Sequence, residues 1–161
     1  MLMAYGVEDV YGLDRQEAAK ERLLQYGGQT MNSLEEMMEN CDIIVATTGV
    51  QGLIKPEMVR KGQIILALSN PNPEILPSEA IAAGAAFAAD GRSVNNVIGF
   101  PGIFKGALNA GAKEITYPML IAAAKAIVDY TRPGELIPNP LDPAVHYIVA
   151  RAVEEAVTKQ A

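Results

Sequence analysis

The chain has 161 residues, half of them apolar and a fifth charged, with a formal net charge of −6. That length allows one domain with a core, and the composition is ordinary for a soluble globular protein. The acidic balance and the lack of any basic run exclude a nucleic-acid-binding surface, and the single cysteine excludes an internal disulfide or a multi-cysteine metal site. No stretch has the length of a membrane span, and the opening MLMAYG lacks the basic and apolar regions of a signal peptide, so a cytoplasmic protein is expected.

In chain order, Met1 to Tyr5 reads as a last helical turn closed by Gly6. Asp9 to Leu13 reads as a short strand with Asp14 at its tip, the place where a dinucleotide-binding unit puts an acidic residue on the adenine ribose. Such a unit carries a strand and a G-x-G-x-x-G/A turn about 20 residues earlier. Only 13 residues precede Asp14, so the fingerprint is absent and the chain is expected to start inside the helix that the fingerprint opens. Arg15 to Tyr26 is a helix closed by Gly27–Gly28, and Ser33 with Glu36 has the capping-box spacing for a helix to Asn40. Cys41 stands just before an apolar run and reads as a buried structural thiol.

Asp42 to Ala46 (DIIVA) reads as a buried parallel strand ending at Thr47-Thr48-Gly49. Small residues at such an end let a cofactor lie across the sheet edge, although each threonine alone equally suits a turn. Pro56 to Arg60 is a short helix, Gln63 to Leu68 the next buried strand, and Pro77 starts a helix ended by Gly84. Ala86 to Ala89 is a last strand with Asp90–Gly91 as its turn. Alternating strands and helices of this kind make a Rossmann-like, doubly wound parallel α/β sheet, here lacking its first strand and the GxGxxG turn. Helices follow from Gly102 to Leu108, from Thr116 to Tyr130 and from Asp142 to Lys159. No repeat or linker argues for a second domain, so residues 1–161 are expected to form one, with 112–161 as its C-terminal helices.

Two stretches carry the chemistry: LALSNPNP, residues 66–73, and GRSVNNVIGFPGIFKGAL, residues 91–108. Each sets carboxamides in a loop punctuated by Gly and Pro, Asn70 in one and Asn95–Asn96 in the other. A carboxamide offers an acceptor and two donors without net charge, which suits a small ligand bearing a carboxylate and a hydroxyl. One asparagine alone is more simply a turn former; two such stretches together read as a site. His146, the only histidine, reads as structural or exposed, Lys105 as solvated, and Met31, Met37, Met38 and Met58 as core filling. No His, Cys, Asp and Glu spacing suggests a metal site.

SNPNPEI, the 91–108 run, AGAKEIT and NPLDP together resemble the nicotinamide-binding domain of malic enzymes, particularly the shorter prokaryotic type. The resemblance covers most of the chain. It implies the cofactor-binding part of an enzyme that oxidises malate with NAD or NADP and decarboxylates the product to pyruvate on a divalent metal. Asn70 and Asn96, with Asn95 as the adjacent alternative, are implied on the substrate and the nicotinamide end of the cofactor, and Asp14 on its adenine ribose. Thr47, Thr48 and Gly49 join the cofactor set only through their place at a strand end. The Asp14 carboxylate repels a 2′-phosphate and so favours NAD, with NADP as the alternative because Arg15 follows directly. The family's catalytic tyrosine and lysine and its acidic metal ligands lie in a preceding region with no counterpart here. Turnover and Mg or Mn binding are therefore expected only of the complete, homo-oligomeric enzyme. The rival expectation is a standalone, noncatalytic nucleotide- or partner-binding α/β module.

Overall fold

In this computed structural model residues 1–94 and 96–159 are described, and their contacts gather into two compact units, Gly6–Val94 and Met1–Tyr5 with Asn95–Ala161.

The Gly6–Val94 unit is organised by aliphatic runs that pair in parallel. Strands β3 (Ile43–Ala46), β4 (Ile64–Ala67) and β5 (Phe87–Asp90) lie in the order β3-β4-β5. Their register sets Ile44 beside Ile65 and Ala46 beside Ala67, and Ala67 beside Asp90. Successive side chains point to opposite faces, so Ile44, Ala46, Ile65 and Ala67 share one face. All four are buried in a cluster completed by Met38 of α3 (Leu34–Asn40) and Ala80 of α4 (Pro77–Ala82). The last strand runs one residue later than its sequence pattern suggests, because Asp90 still pairs with Ala67.

The other face of β3 departs from the expectation of a strand buried on both sides. Ile43 is 60% and Val45 53% exposed. The physical reason is position: β3 is an edge strand, and the packed cluster takes up only the face bearing Ile44 and Ala46.

A second, smaller parallel pair joins β1 (Tyr11–Gly12) to β2 (Gln29–Thr30) through α2 (Glu17–Gln25). The sequence suggests a longer first strand, Asp9 to Leu13, and no strand at Gln29. Only two residue pairs form the ladder, and both β2 residues are polar and exposed, so no apolar run announces them. Leu23 of α2 packs where a Cβ on Gly12 or Gly28 would stand, so glycine in β1 and just before β2 permits this close approach. Strand β1 does not pair with β3. In the order 3-2-1-4-5-6 one strand separates these two, and no described residue fills that position.

Local chemistry fixes the helix ends. Ser33 Oγ accepts from Glu36 N at 3.1 Å, as its spacing predicts, while Glu36 reaches back to Asn32 N at 2.8 Å. At the other end of α3, buried Gln63 donates to the carbonyls of Met38 and Cys41, both at 2.7 Å. These bonds satisfy acceptors that a helix terminus leaves open. Cys41 is half-buried rather than buried, with its thiol pKa raised by burial and by neighbouring Asp42. Met38 and Met31 are buried, and Met37 and Met58 pack against the cluster.

The other unit is helical: α1 (Leu2–Tyr5), α5 (Phe100–Asn109), α6 (Tyr117–Tyr130) and α7 (Pro143–Thr158). Its core joins Ile98, Ala107, Met119, Ala123, Val145, Val149 and Val153. Helices α5 and α7 meet closely because Gly102 and Gly106 carry no Cβ; one added at Gly102 would stand 2.7 Å from Val149. Asp142 caps α7 by accepting from Ala144 N at 3.0 Å, with Pro143 in the first helical position. Among the described residues no helix is long and apolar enough to cross a membrane.

Candidate functional site

Parallel α/β sheets bind ligands beyond the carboxyl ends of their strands, where the backbone turns away and leaves a crevice. Three such ends are linked in the Gly6–Val94 unit. After β3 the chain runs through Thr47, Thr48 and Gly49; after β4 through Ser69 and Asn70; after β5 through Gly91 and Arg92.

One carboxylate ties the first two together. Glu74 is fully buried, and its Oε1 accepts from Thr48 N at 2.6 Å, Thr48 Oγ1 at 2.8 Å and Ser69 Oγ at 2.6 Å. Ser69 Oγ accepts in turn from Gly49 N at 2.8 Å, and Thr48 Oγ1 from Val50 N at 3.2 Å. Three successive backbone N–H groups are thereby satisfied through one buried oxygen and two hydroxyls. Burial pushes the Glu74 pKa up, but the hydrogen bonds from Ser69 and Thr48 outweigh it and hold the carboxyl below its ordinary value. The second oxygen, Oε2, is buried without a hydrogen-bond partner.

The third strand end joins through Asn70. Its Nδ2 donates to the Gly91 carbonyl at 3.2 Å, and Arg92 Nη2 donates to the Pro71 carbonyl at 3.3 Å. The turn after β5 is organised by Asp90, whose Oδ1 accepts from Arg92 N, Ser93 N and Ser93 Oγ at 3.1, 2.9 and 2.8 Å. Burial raises the Asp90 pKa, yet the bonds from Ser93 and Arg92 leave it lowered overall.

The candidate residues thus fall into groups. Thr48 and Gly49 belong to the Glu74 network, and Asn70, next to Ser69 and exposed, bonds to the third strand end. Thr47 is exposed, and its hydroxyl makes no hydrogen bond among the described residues. Asp14 is exposed after β1, where its Oδ1 accepts from Gln16 N at 2.8 Å. No hydrogen bond among the described residues connects it to the Glu74 network. Asn96 opens a 3-10 turn, Asn96–Ile98, that leads into α5, and Asn95 lies outside the described residues. His146 Nε2 lies 2.9 Å from the Pro140 carbonyl, and Lys105 is exposed on α5. Among the described residues no group of three His, Cys, Asp or Glu side chains is arranged to hold a metal.

Sequence reasoning passed over Glu74 and Ser69. Their signal was present: one acidic residue inside the proline-rich, apolar stretch PNPEIL has few ways to be satisfied except by folding back on a neighbouring strand end.

The malic enzyme NAD-binding domain family matches residues 88–161. NAD-dependent malic enzyme 1 of Bacillus subtilis is 65% identical over 156 residues, 97% of this chain and 36% of the relative. The crystal structure of the NAD-dependent malic enzyme of Thermotoga maritima superposes with a TM-score of 0.81 at 33% identity, covering 95% of this chain and 46% of that one. The malic enzyme structure from Pyrococcus horikoshii Ot3 gives 0.73 at 42% identity, over 80% of this chain and 33% of that one. The chain spans about a third of the length of the curated relative it matches at 65% identity. Nearly every residue is thus aligned with NAD-dependent malic enzymes, with which the chain shares its parallel α/β fold, and residues 88–161 match their NAD-binding domain.

Proposed function

We propose that this chain supplies the nicotinamide-cofactor site of a malic enzyme, which oxidises malate and decarboxylates it to pyruvate, and that it has no turnover of its own. The observation that carries this reading is the convergence of Thr48–Gly49, Ser69–Asn70 and Gly91 at three adjacent strand ends. A flat ring suits this ledge, since Gly49 has φ of +73° and open space where a Cβ would stand.

NAD, when bound, supplies the hydride acceptor. The chain's own part is to bind and orient: Asn70 offers a carboxamide and Thr47 a hydroxyl with no hydrogen bond among the described residues, without adding charge beside the reacting atoms. Asn96, with Asn95 as the adjacent alternative, keeps the ligand-binding role that the family resemblance implies. Asp14 accepts from the adenine ribose hydroxyls and favours NAD over NADP. General acid, general base and a Mg or Mn site come from outside these residues, and the working enzyme is a homo-oligomer in the cytoplasm.

Fluorescence titration of the chain with NADH tests binding, and malate-dependent NADH formation with Mg²⁺ or Mn²⁺ tests turnover. Saturable NADH binding without turnover is the expected result. Turnover by the chain alone overturns the assignment of roles, and absence of any NADH binding favours a noncatalytic module.

A further inference from the structure

We propose that Glu74 is the positioning residue of this site, a buried clamp that holds the Thr48–Gly49 and Ser69–Asn70 strand ends in their ligand-ready shape. All three of its donors converge on Oε1, from two strand ends that are 20 or more residues apart in sequence. A carboxylate suits this better than an amide, since an ionised oxygen accepts several short bonds and each is charge-assisted. The adjoining backbone carries the same loops: Ile54 N donates to the Glu74 carbonyl at 3.0 Å and Gly52 N to the Pro73 carbonyl at 3.3 Å. Glu74 itself is fully buried, so it acts on a ligand only through Thr48, Gly49, Ser69 and Asn70. Its link to cofactor binding rests on the function proposed above; its control of the loops does not.

Hydrogen exchange on the full chain separates the two. In Glu74→Gln, amide exchange at Thr48 and Gly49 is expected to rise about tenfold, while Ile65 and Leu66 in β4 keep their protection. NADH affinity falls by a similar factor. Thr48→Val and Ser69→Ala, which remove one strut each, reproduce part of the effect, and Thr48→Ser restores it. These milder variants decide the matter where Glu74→Gln fails to fold. Unchanged exchange at Thr48 and Gly49, or equal loosening of β4, overturns the clamp. If the unsubstituted chain binds no NADH, the cofactor reading fails, and exchange alone decides the role of Glu74.

Discussion

The side-chain amide of Asn70 donates to the main-chain carbonyl of Gly91 at 3.2 Å, so the loop after β4 is held against the turn after β5. The two stretches singled out in the sequence therefore meet where Asn70 reaches Gly91. A Cβ at Gly91 would stand 2.6 Å from Asn70 Nδ2 and collide with the Leu68 carbonyl. Gly91→Ala is expected to lower stability by about 1–3 kcal/mol, because a backbone oxygen on the neighbouring strand end cannot swing aside. Thermal unfolding checks this; a melt equal to that of the parent would mean that the turn relaxes freely.

Asn70→Ala and Asn96→Ala, made in a full-length malic enzyme carrying these residues, are expected to reduce malate turnover far more than stability. In the roles proposed above each loses a hydrogen bond to its ligand, on the order of 1–3 kcal/mol where the partner is left unpaired. Steady-state kinetics and melting on the same preparations decide it. A sharp fall in melting temperature with kcat/KM preserved would make them turn residues.

Asp14→Ser, in the same setting, is expected to weaken NAD and relatively favour NADP. The substitution removes both an acceptor for ribose hydroxyls and a charge that repels a 2′-phosphate. The ratio of kcat/KM for the two cofactors is the measurement, and an unchanged ratio rules the role out.

Acid should loosen the strand-end network. Glu74 and Asp90 both have pKa values lowered in the folded chain by the hydrogen bonds they accept. A lowered folded pKa contributes stability above the ordinary carboxylate value, and that contribution is lost as pH falls through the folded value. Melting temperature should thus fall below about pH 4, and the slope should be shallower in Glu74→Gln. Parallel slopes for parent and variant would remove Glu74 from the acid response.

Gly106→Ala is expected to destabilise the helical unit by about 1–3 kcal/mol. The new Cβ would stand 2.8 Å from Val153 Cβ and against the Ala150 carbonyl, where α5 and α7 touch. Ala107→Gly on the same helix, by comparison, adds no atom and costs mainly helix propensity and a small cavity. A larger melting loss for the second variant than the first would show that α5 shifts to accommodate the methyl.

Much of the fold is written locally. The runs IIVA and IILA declare strands through β-branched, apolar residues, and Ser33, Asp142 and Pro143 declare helix starts through side-chain acceptors and a fixed φ. The family resemblance, read from SNPNPEI and the 91–108 run, is likewise a property of residue order alone. Strand β2 escaped because its ladder is two residues long and its side chains are polar, so pairing with β1 carries no hydrophobic signature.

Tertiary structure alone decided which face of β3 is covered and which carboxylate matters. Ile43 and Ile44 are the same residue type in the same run, yet one is 60% exposed and the other 4%. What distinguishes them is the pleat and the packing of Met38 and Ala80 against one side. Glu74 looks in sequence like any acidic residue in a loop. Its role arises because parallel pairing of β3 with β4 brings Thr48 and Ser69 to one buried oxygen, a meeting across the sheet that residue spacing cannot express.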